Sequence, residues 1–442
     1  MPGRVVIVGA GLCGSVLAAL LRDDFQVTLV EQGSKKKPLF DDIDSDSGEL
    51  NTSINRAEGL GGTTNYWHNA LIELDDKDLA KAGLDARAFA PYYRKGWELF
   101  LSERELAACD RVRDSNAATL AGGASTIAHM VLPQTRHNAW ELATKRLPGR
   151  AIDVVYGRAR KIVDGGVELD GGRRLAADHV VVAGGGMGTP VLLARSLGRD
   201  DDFIPGYHDH PMAYVAKIKL RPDSPLKRVS STATLSADVR AGLIYEHAGL
   251  KTAIYLRPAV DMRLASIMGP ARYILSDLRN DPFSPKKILM LLGNLEAVRE
   301  AILFKTRLGF RGDYYSVLIL GEQTPLATRG LQMARGKRPR LNWHVTPDEL
   351  GAYEHAVEAF LAEHAGDIVE RKLVPKGSWE FRNAAHHSGT ATSFLGADPF
   401  AVTGLPRTSV CDGSMLRAAG IANSGLTLVG LTYQLADALK RM

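Results

Sequence analysis

The chain has 442 residues, which at about 150 residues per domain allows two or three domains around a large buried core. Apolar residues make up 45% and charged residues 24%, ordinary globular usage that excludes a disordered or fibrous chain. Lys and Arg total 55 against 50 Asp and Glu; the resulting net charge of +5 is too dilute for a nucleic-acid surface. The three cysteines, Cys13, Cys109 and Cys411, have no CxxC spacing, so neither a disulfide framework nor a metal site is expected, and a reducing compartment fits best.

Arg4 leads straight into the strand-like run Val5-Val6-Ile7-Val8, with no leader pattern, which predicts a cytoplasmic protein. The run ends in Gly9-Ala10-Gly11-Leu12-Cys13-Gly14, followed by the helical spacing of Val16, Leu17, Leu20 and Leu21. A second strand, Val27-Thr28-Leu29-Val30, closes on Glu31, 17 residues beyond Gly14. Strand, GxGxxG turn, helix, strand and terminal acid in that order predict a dinucleotide site. In it Gly9 makes the tight turn, Gly11 admits a pyrophosphate and Gly14 lets helix meet sheet. Glu31 then accepts hydrogen bonds from a ribose and disfavours a 2′-phosphate, leaving NAD or FAD. The 44 glycines exceed the roughly 7% of average usage and cluster, as backbone brought close to a ligand would.

Later segments carry a family resemblance. Residues 59–67 (GLGGTTNYW) resemble the second flavin-contacting loop of the glucose-methanol-choline (GMC) flavoprotein oxidoreductases. Residues 180–190 (VVVAGGGMGTP) resemble that family's later strand and turn, His208-Asp209-His210-Pro211 its N-x-x-D-H-P element, and Asp412-Gly413-Ser414 its D-x-S segment. The last helix, with Asn423, Thr427, Leu428 and Ala436-Asp437, is similar to its N-P-T-x-T pattern, with Ser424 and Gly425 replacing the proline and first threonine. The matches cover roughly residues 4–34, 57–70, 178–211 and 384–442, in family order.

The resemblance implies FAD and an α/β fold: a discontinuous Rossmann-like FAD-binding domain (1–70, 150–211 and 383–442) and a substrate domain (71–149 and 212–382) whose antiparallel sheet is covered by helices. It places cofactor contacts at Gly9, Gly11, Leu12, Cys13, Gly14, Glu31, Gln32, Gly61, Gly62, Thr63, Asn65, Tyr66, Trp67, Ala183, Gly184, Asp412, Gly413, Asn423 and Ser424. Where some relatives tether FAD through a loop histidine, this chain has Asn65 and Tyr66, with His68 beyond Trp67, so noncovalent FAD is expected. Tyr66, Trp67 and His68 either shield a flavin face or pack in the core.

His386-His387-Ser388-Gly389-Thr390 resembles the family's H-x-x-G-T element, which puts the general base at His386, with His387 as the alternative one register away. Imidazole suits the task because its pKa lies nearest neutral pH. The second catalytic position falls on Asn423, whose amide can hold a substrate oxygen. The implied reaction oxidises the CH–OH of a small-molecule alcohol, sugar or polycyclic alcohol, with oxygen or another acceptor taking the electrons. The alternative is a lyase or other non-redox enzyme on the same fold.

Elsewhere, Val154 to Leu175 reads as an antiparallel meander, Asp41 to Glu49 as a solvated acidic loop, and 71–149 as mainly helical. Runs at Ala213 to Leu220, Thr252 to Leu256 and Tyr314 to Leu320 are strand-like, and Glu322 and Gln323 either reach the cavity or lie on the surface. Ala418 to Ala436 is too polar to span a membrane and reads as a buried loop and helix. Lys286 to Lys305 has basic amphipathic helical spacing, suited to packing on its own protein, to a lid or dimer contact, or to a membrane surface.

Overall fold

Two sheets of opposite character organise the chain. The structure, a computed structural model, describes residues 2–39, 42–45, 55–121, 123–263, 295–306 and 312–442, with four single positions between 285 and 293. The first sheet is parallel, in the order Thr408–Val410, His179–Val182, Arg4–Val8, Gln26–Glu31, Asp153–Tyr156. Its inner strands Arg4–Val8 and His179–Val182 are buried on both faces from Val5 and Val180 onward, which is why they read as unbroken Val and Ile runs. Chain order reverses between Arg4–Val8 and His179–Val182, so a crevice opens where Gly9–Gly11 and Ala183–Gly184 leave the strand ends. The Leu12–Leu21 helix packs against Gly425–Lys440 and Ala139–Arg146.

The second sheet is antiparallel and joins Thr126–Pro133, Met212–Leu220, Thr232–Ala233, Ala237–His247, Leu250–Pro258, Tyr314–Gly321 and Ile368–Leu373. Its side chains alternate in the two-residue period of a strand. Tyr315, Val317 and Ile319 enter a core with Tyr353 and Phe360 of the Pro347–Glu363 helix, whereas Ser316, Leu318 and Leu320 face a cavity. The α/β architecture is thus the expected one, a Rossmann-like parallel sheet and a separate antiparallel sheet with helices.

Several local expectations change. Asp153–Tyr156 leaves the meander for the edge of the parallel sheet, where Val155 is buried; only Ala159–Val163, Gly166–Leu169 and Arg174–Ala176 form the antiparallel ribbon. Between the helices of 71–149, Thr126–Pro133 pairs along Ala237–His247. The described part of the acidic segment is not simply solvated: Ile43 is buried, Asp42 binds Arg56, and Asp44–Ser45 pairs with Arg340–Asn342. The rest of that segment lies outside the described residues. So do residues 286–288, 290, 291 and 294 of the basic amphipathic segment, which continues as the helix Leu295–Thr306 with Leu295 and Ile302 exposed.

Glu322 and Gln323 reach neither surface nor cavity. Glu322 accepts from Lys81 and from the Lys251 peptide, while Gln323 accepts from Trp343 Nε1 and the Asp209 peptide. No helix among the described residues is long and apolar enough to cross a membrane. Gly425–Lys440 is the helix expected near the C-terminus, and the loop before it is largely buried.

Candidate functional site

A cavity of about 1210 Å³ lies between the ends of the parallel strands and the inner face of the antiparallel sheet. Gly9, Gly11, Leu12, Cys13, Glu31 and Gln32 line one end. Gly9 adopts φ +106°, and a Cβ there would lie 2.4 Å from the Ala183 carbonyl. Gly14 does not reach the cavity; a Cβ on it would strike the Gly9 carbonyl at 1.9 Å, so its role is close packing of helix on turn. At Gly11 a Cβ would meet no atom within 4 Å, because the space in front of it is the cavity itself.

Glu31 does more than face a ribose position. One carboxylate oxygen accepts from the Ala10 peptide at 3.0 Å, and the other accepts from Gly33 and Gly59 at 3.1 and 3.0 Å. It thereby ties the first glycine turn to the second glycine loop. From that loop Gly62, Thr63, Tyr66 and Trp67 line the cavity, as does His68. Gly61 instead packs on Asn138, and Asn65 turns back to donate to the carbonyls of Leu60 and Gly62, so neither of these expected contacts borders the cavity. Ala183, Gly184, Asp412, Gly413, Asn423 and Ser424 complete this end. Asp412 is largely committed internally: it accepts from the Gly185 peptide, Thr189, and both the peptide and hydroxyl of Ser414.

The helix ends show where charge is wanted. Asp75, Asp85, Ser102, Asn138, Ser224 and Thr346 each cap a helix by accepting a peptide N–H. Of the helices that begin at the cavity, Leu12–Leu21 and Gly425–Lys440 have no side-chain cap and no acid in their first turns, whereas the first peptides of Gly185–Ser196 are taken by Thr189 and Asp412. The free N–H groups and positive dipole ends of Leu12–Leu21 and Gly425–Lys440 suit phosphate and other anionic groups. The open Gly11 and these bare termini fit a dinucleotide. Gly11→Ala is accordingly expected to fold as the wild type yet fail to retain its dinucleotide, checked by circular dichroism and bound-cofactor absorbance.

At the other side of the cavity stands a histidine cluster built by two loops. The buried Asp209 carboxylate accepts from the peptides of His210, Ala384 and His386 at 2.7, 3.2 and 3.1 Å, and from the Tyr207 hydroxyl at 3.2 Å. This grip holds Ala385 in the left-handed region at φ +59°, a conformation costing a non-glycine residue roughly 1–2 kcal/mol. It sets the His386 ring edge-on to His210, centroids 5.2 Å apart. His386 lines the cavity with a buried Nδ1 that has no hydrogen-bond partner, and neither ring nitrogen of His210 has one. His387 also borders the cavity but is engaged: its Nε2 lies 3.2 Å from Asn55 Oδ1 and 3.8 Å from Asp209. Among the described residues no group of three or more His, Cys, Asp or Glu side chains is arranged to hold a metal.

Burial, then the neighbouring His210 and His387, hold His386 well below the usual imidazole value, so it is neutral at pH 7. Burial likewise pushes His208 and His210 down to about 4 and, with Arg56, His387 to about 3. It pushes Asp209 up to about 7 against its four donors. Below pH 6.5 the unfolded chain binds protons that these imidazoles refuse, so stability falls with pH until about 4. Asp209 has the opposite sign, since the fold protonates it below about 7 and the unfolded chain only near 3.8. The melting temperature is therefore expected to drop between pH 6.5 and 4.5, more steeply in Asp209→Asn; a flat profile would contradict buried neutral imidazoles.

Two features of the site escape a reading of the sequence. His210 sits in a recognisable segment, but nothing local tells that its ring meets His386. Tyr255, Arg257 and Ser316 are polar at inward positions of apolar strands, a signal visible in their alternation once the strands are paired.

Residues 7–35 match the family model of an NAD(P)-binding Rossmann-like domain. Among curated protein sequences none matches the chain. The solved structure of pyridoxine 4-oxidase from Mesorbium loti is similar to 100% of this chain over 99% of its own, with a TM-score of 0.62 at 15% identity. At that identity the likeness is one of fold, and it extends to both sheets.

Proposed function

We propose that the chain is a GMC-type flavoprotein that oxidises the CH–OH group of a small molecule to a carbonyl, with His386 as general base and noncovalent FAD. One observation carries this reading: a single cavity has the dinucleotide turn in one wall and, in another, His386, whose ring stands edge-on to the buried His210. The fold shared with an oxidase adds to it. The division into a cofactor part (1–70, 150–211 and 383–442) and a substrate part (71–149 and 212–382) is supported by the two main sheets, since every strand of the five-stranded parallel sheet comes from the first set and every strand of the large antiparallel sheet from the second.

Gly11 and the N-terminus of Leu12–Leu21 hold the pyrophosphate, and Glu31 the ribose. When bound, FAD accepts the hydride that leaves the alcohol carbon. The neutral His386 imidazole takes the hydroxyl proton, and Asn423, which lines the same cavity, holds the oxygen beside it. The bare N-terminus of Gly425–Lys440 favours negative charge at its end of the cavity.

The purified protein is then expected to be yellow and to release FAD on acid or heat denaturation. Flavin that stays with the denatured chain would reveal a covalent link. An anaerobic spectral screen with alcohols and sugars tests the reaction: bleaching identifies an alcohol donor, while turnover with the flavin still oxidised would indicate a lyase.

A further inference from the structure

The sheet that walls the substrate side of the cavity carries two hydroxyls that the fold leaves unused. Strand pairing arranges its cavity face in rows: Met212 opposite Leu320, then Tyr214, Leu318 and Tyr255, then Lys217, Ser316 and Arg257. Met212 follows directly on His210-Pro211, so the rows run away from the histidine cluster. Along the strand, Leu318 stands roughly 7 Å and Ser316 roughly 13 Å beyond Leu320. Tyr255 and Ser316 both line the cavity and are each 2% exposed, and neither hydroxyl has a hydrogen-bond partner. A buried hydroxyl without a partner costs stability unless something outside the fold satisfies it.

The charged side chains of this wall are committed. Lys217 donates to the Arg263 carbonyl, Arg240 pairs with Asp238 at 2.7 Å, and Lys217, Arg257 and Arg382 each have further interactions within the protein. An anion buried here would find no counter-charge to spare, so the cost of its desolvation favours a neutral oxygen instead. A hydroxyl suits that oxygen because it both donates and accepts. Burial pushes the Tyr255 phenol up, against the opposing charge of Arg257, so at neutral pH it remains an O–H donor.

The spacing of the two hydroxyls follows from the sheet. The Tyr255 ring lies over Gly242 in the neighbouring strand, where a Cβ would come within 2.6 Å of its Cζ. The phenol thus reaches one strand beyond its own, while Ser316 stands one strand to the other side. Two strand spacings, roughly 10 Å, lie between them. We infer that the substrate is a neutral molecule carrying two oxygens besides the one oxidised, as hydroxyls or carbonyls on an apolar frame, and that Tyr255 and Ser316 bind one each. Tyr214, Leu318 and Leu320 line the same wall and face the frame.

This inference rests on the proposed alcohol oxidation for the reacting end of the molecule, but its test reads binding and stability. FAD-saturated protein is titrated with decanol, with the α,ω-diol of the same length and with the corresponding bis(methyl ketone), followed by the fluorescence of tryptophan, of which Trp67 borders the cavity. The diol or the diketone is expected to bind about fivefold more tightly than decanol, the scale of one added hydrogen bond. The tighter of the two tells hydroxyl from carbonyl. Tyr255→Phe and Ser316→Ala should each abolish the preference, because a single subsite then serves every ligand. Each hydroxyl bonds to nothing in the fold, so before ligand is added both variants should melt at or above the wild-type temperature. Equal binding of all three ligands, binding of none, a preference that survives either substitution, or a lowered melting temperature would overturn the inference. Failure of the oxidation reading shows separately, as flavin that no alcohol bleaches while the preference for two oxygens stays intact.

Discussion

His386→Ala is expected to retain FAD and to slow anaerobic flavin reduction by its alcohol by about 10²–10⁴-fold, or roughly 3–5 kcal/mol of barrier. The imidazole is neutral, borders the cavity and carries an unpartnered buried nitrogen, so removing it takes away a proton acceptor and no structural bond. His387→Ala should lose less rate, because that ring already bonds Asn55, and should lose more stability. Asn423→Ala should slow reduction through poorer substrate orientation, and Asn423→His should restore part of the rate. If His386→Ala reduced its flavin at the wild-type rate while His387→Ala did not, the base would be the second histidine. If both were unimpaired, the alcohol-oxidation reading would fail.

The second large effect concerns stability. Glu349→Ala is expected to destabilise the fold by about 3–5 kcal/mol, because it strands a buried charge. Arg329 is 0% exposed and donates to both oxygens of Glu349, at 2.7 and 3.2 Å. Glu349 also closes the capping box with Thr346 at the start of the Pro347–Glu363 helix. The Arg329 carbonyl in turn accepts from the peptides of Gly206 and Tyr207, next to the segment that carries Asp209 and His210. Urea unfolding of Glu349→Ala and of the double substitution Glu349→Leu, Arg329→Met measures the effect; the double variant should recover most of the loss because no lone charge remains. Equal loss in both would mean that packing, not the unpaired charge, sets the cost.

The contrast between Glu31 and Asp412 shows how far a single sequence reaches. Both acids stand where a dinucleotide fold needs them, and both border the cavity. Each nevertheless spends its oxygens on peptides and hydroxyls from segments distant in the chain: Gly59 for Glu31, Thr189 and Gly185 for Asp412. Substituting Glu31 therefore loosens two loops as well as any ribose contact. Asn65, Gly61 and Gly14 lie in the right motifs but face protein, since a motif fixes backbone path before it decides which side chain sees a ligand.

What the sequence determined by itself is local. Unbroken apolar strands, glycines at a tight turn and the acid after the second strand are dictated by sterics and hydrogen bonding within a few residues. So the first strands of the parallel sheet, its dinucleotide turn and three strands of the second sheet, Met212–Leu220, Leu250–Pro258 and Tyr314–Gly321, were legible, whereas Thr126–Pro133, Ala237–His247 and the place of Asp153–Tyr156 at the parallel edge were not. The tertiary structure alone decided which histidine stays free, that His210 meets it, and that Arg257, Ser316 and Lys217 form one row. Those facts depend on loop docking through a buried carboxylate and on strand register. A one-residue slip in register would turn the same side chains to the opposite face.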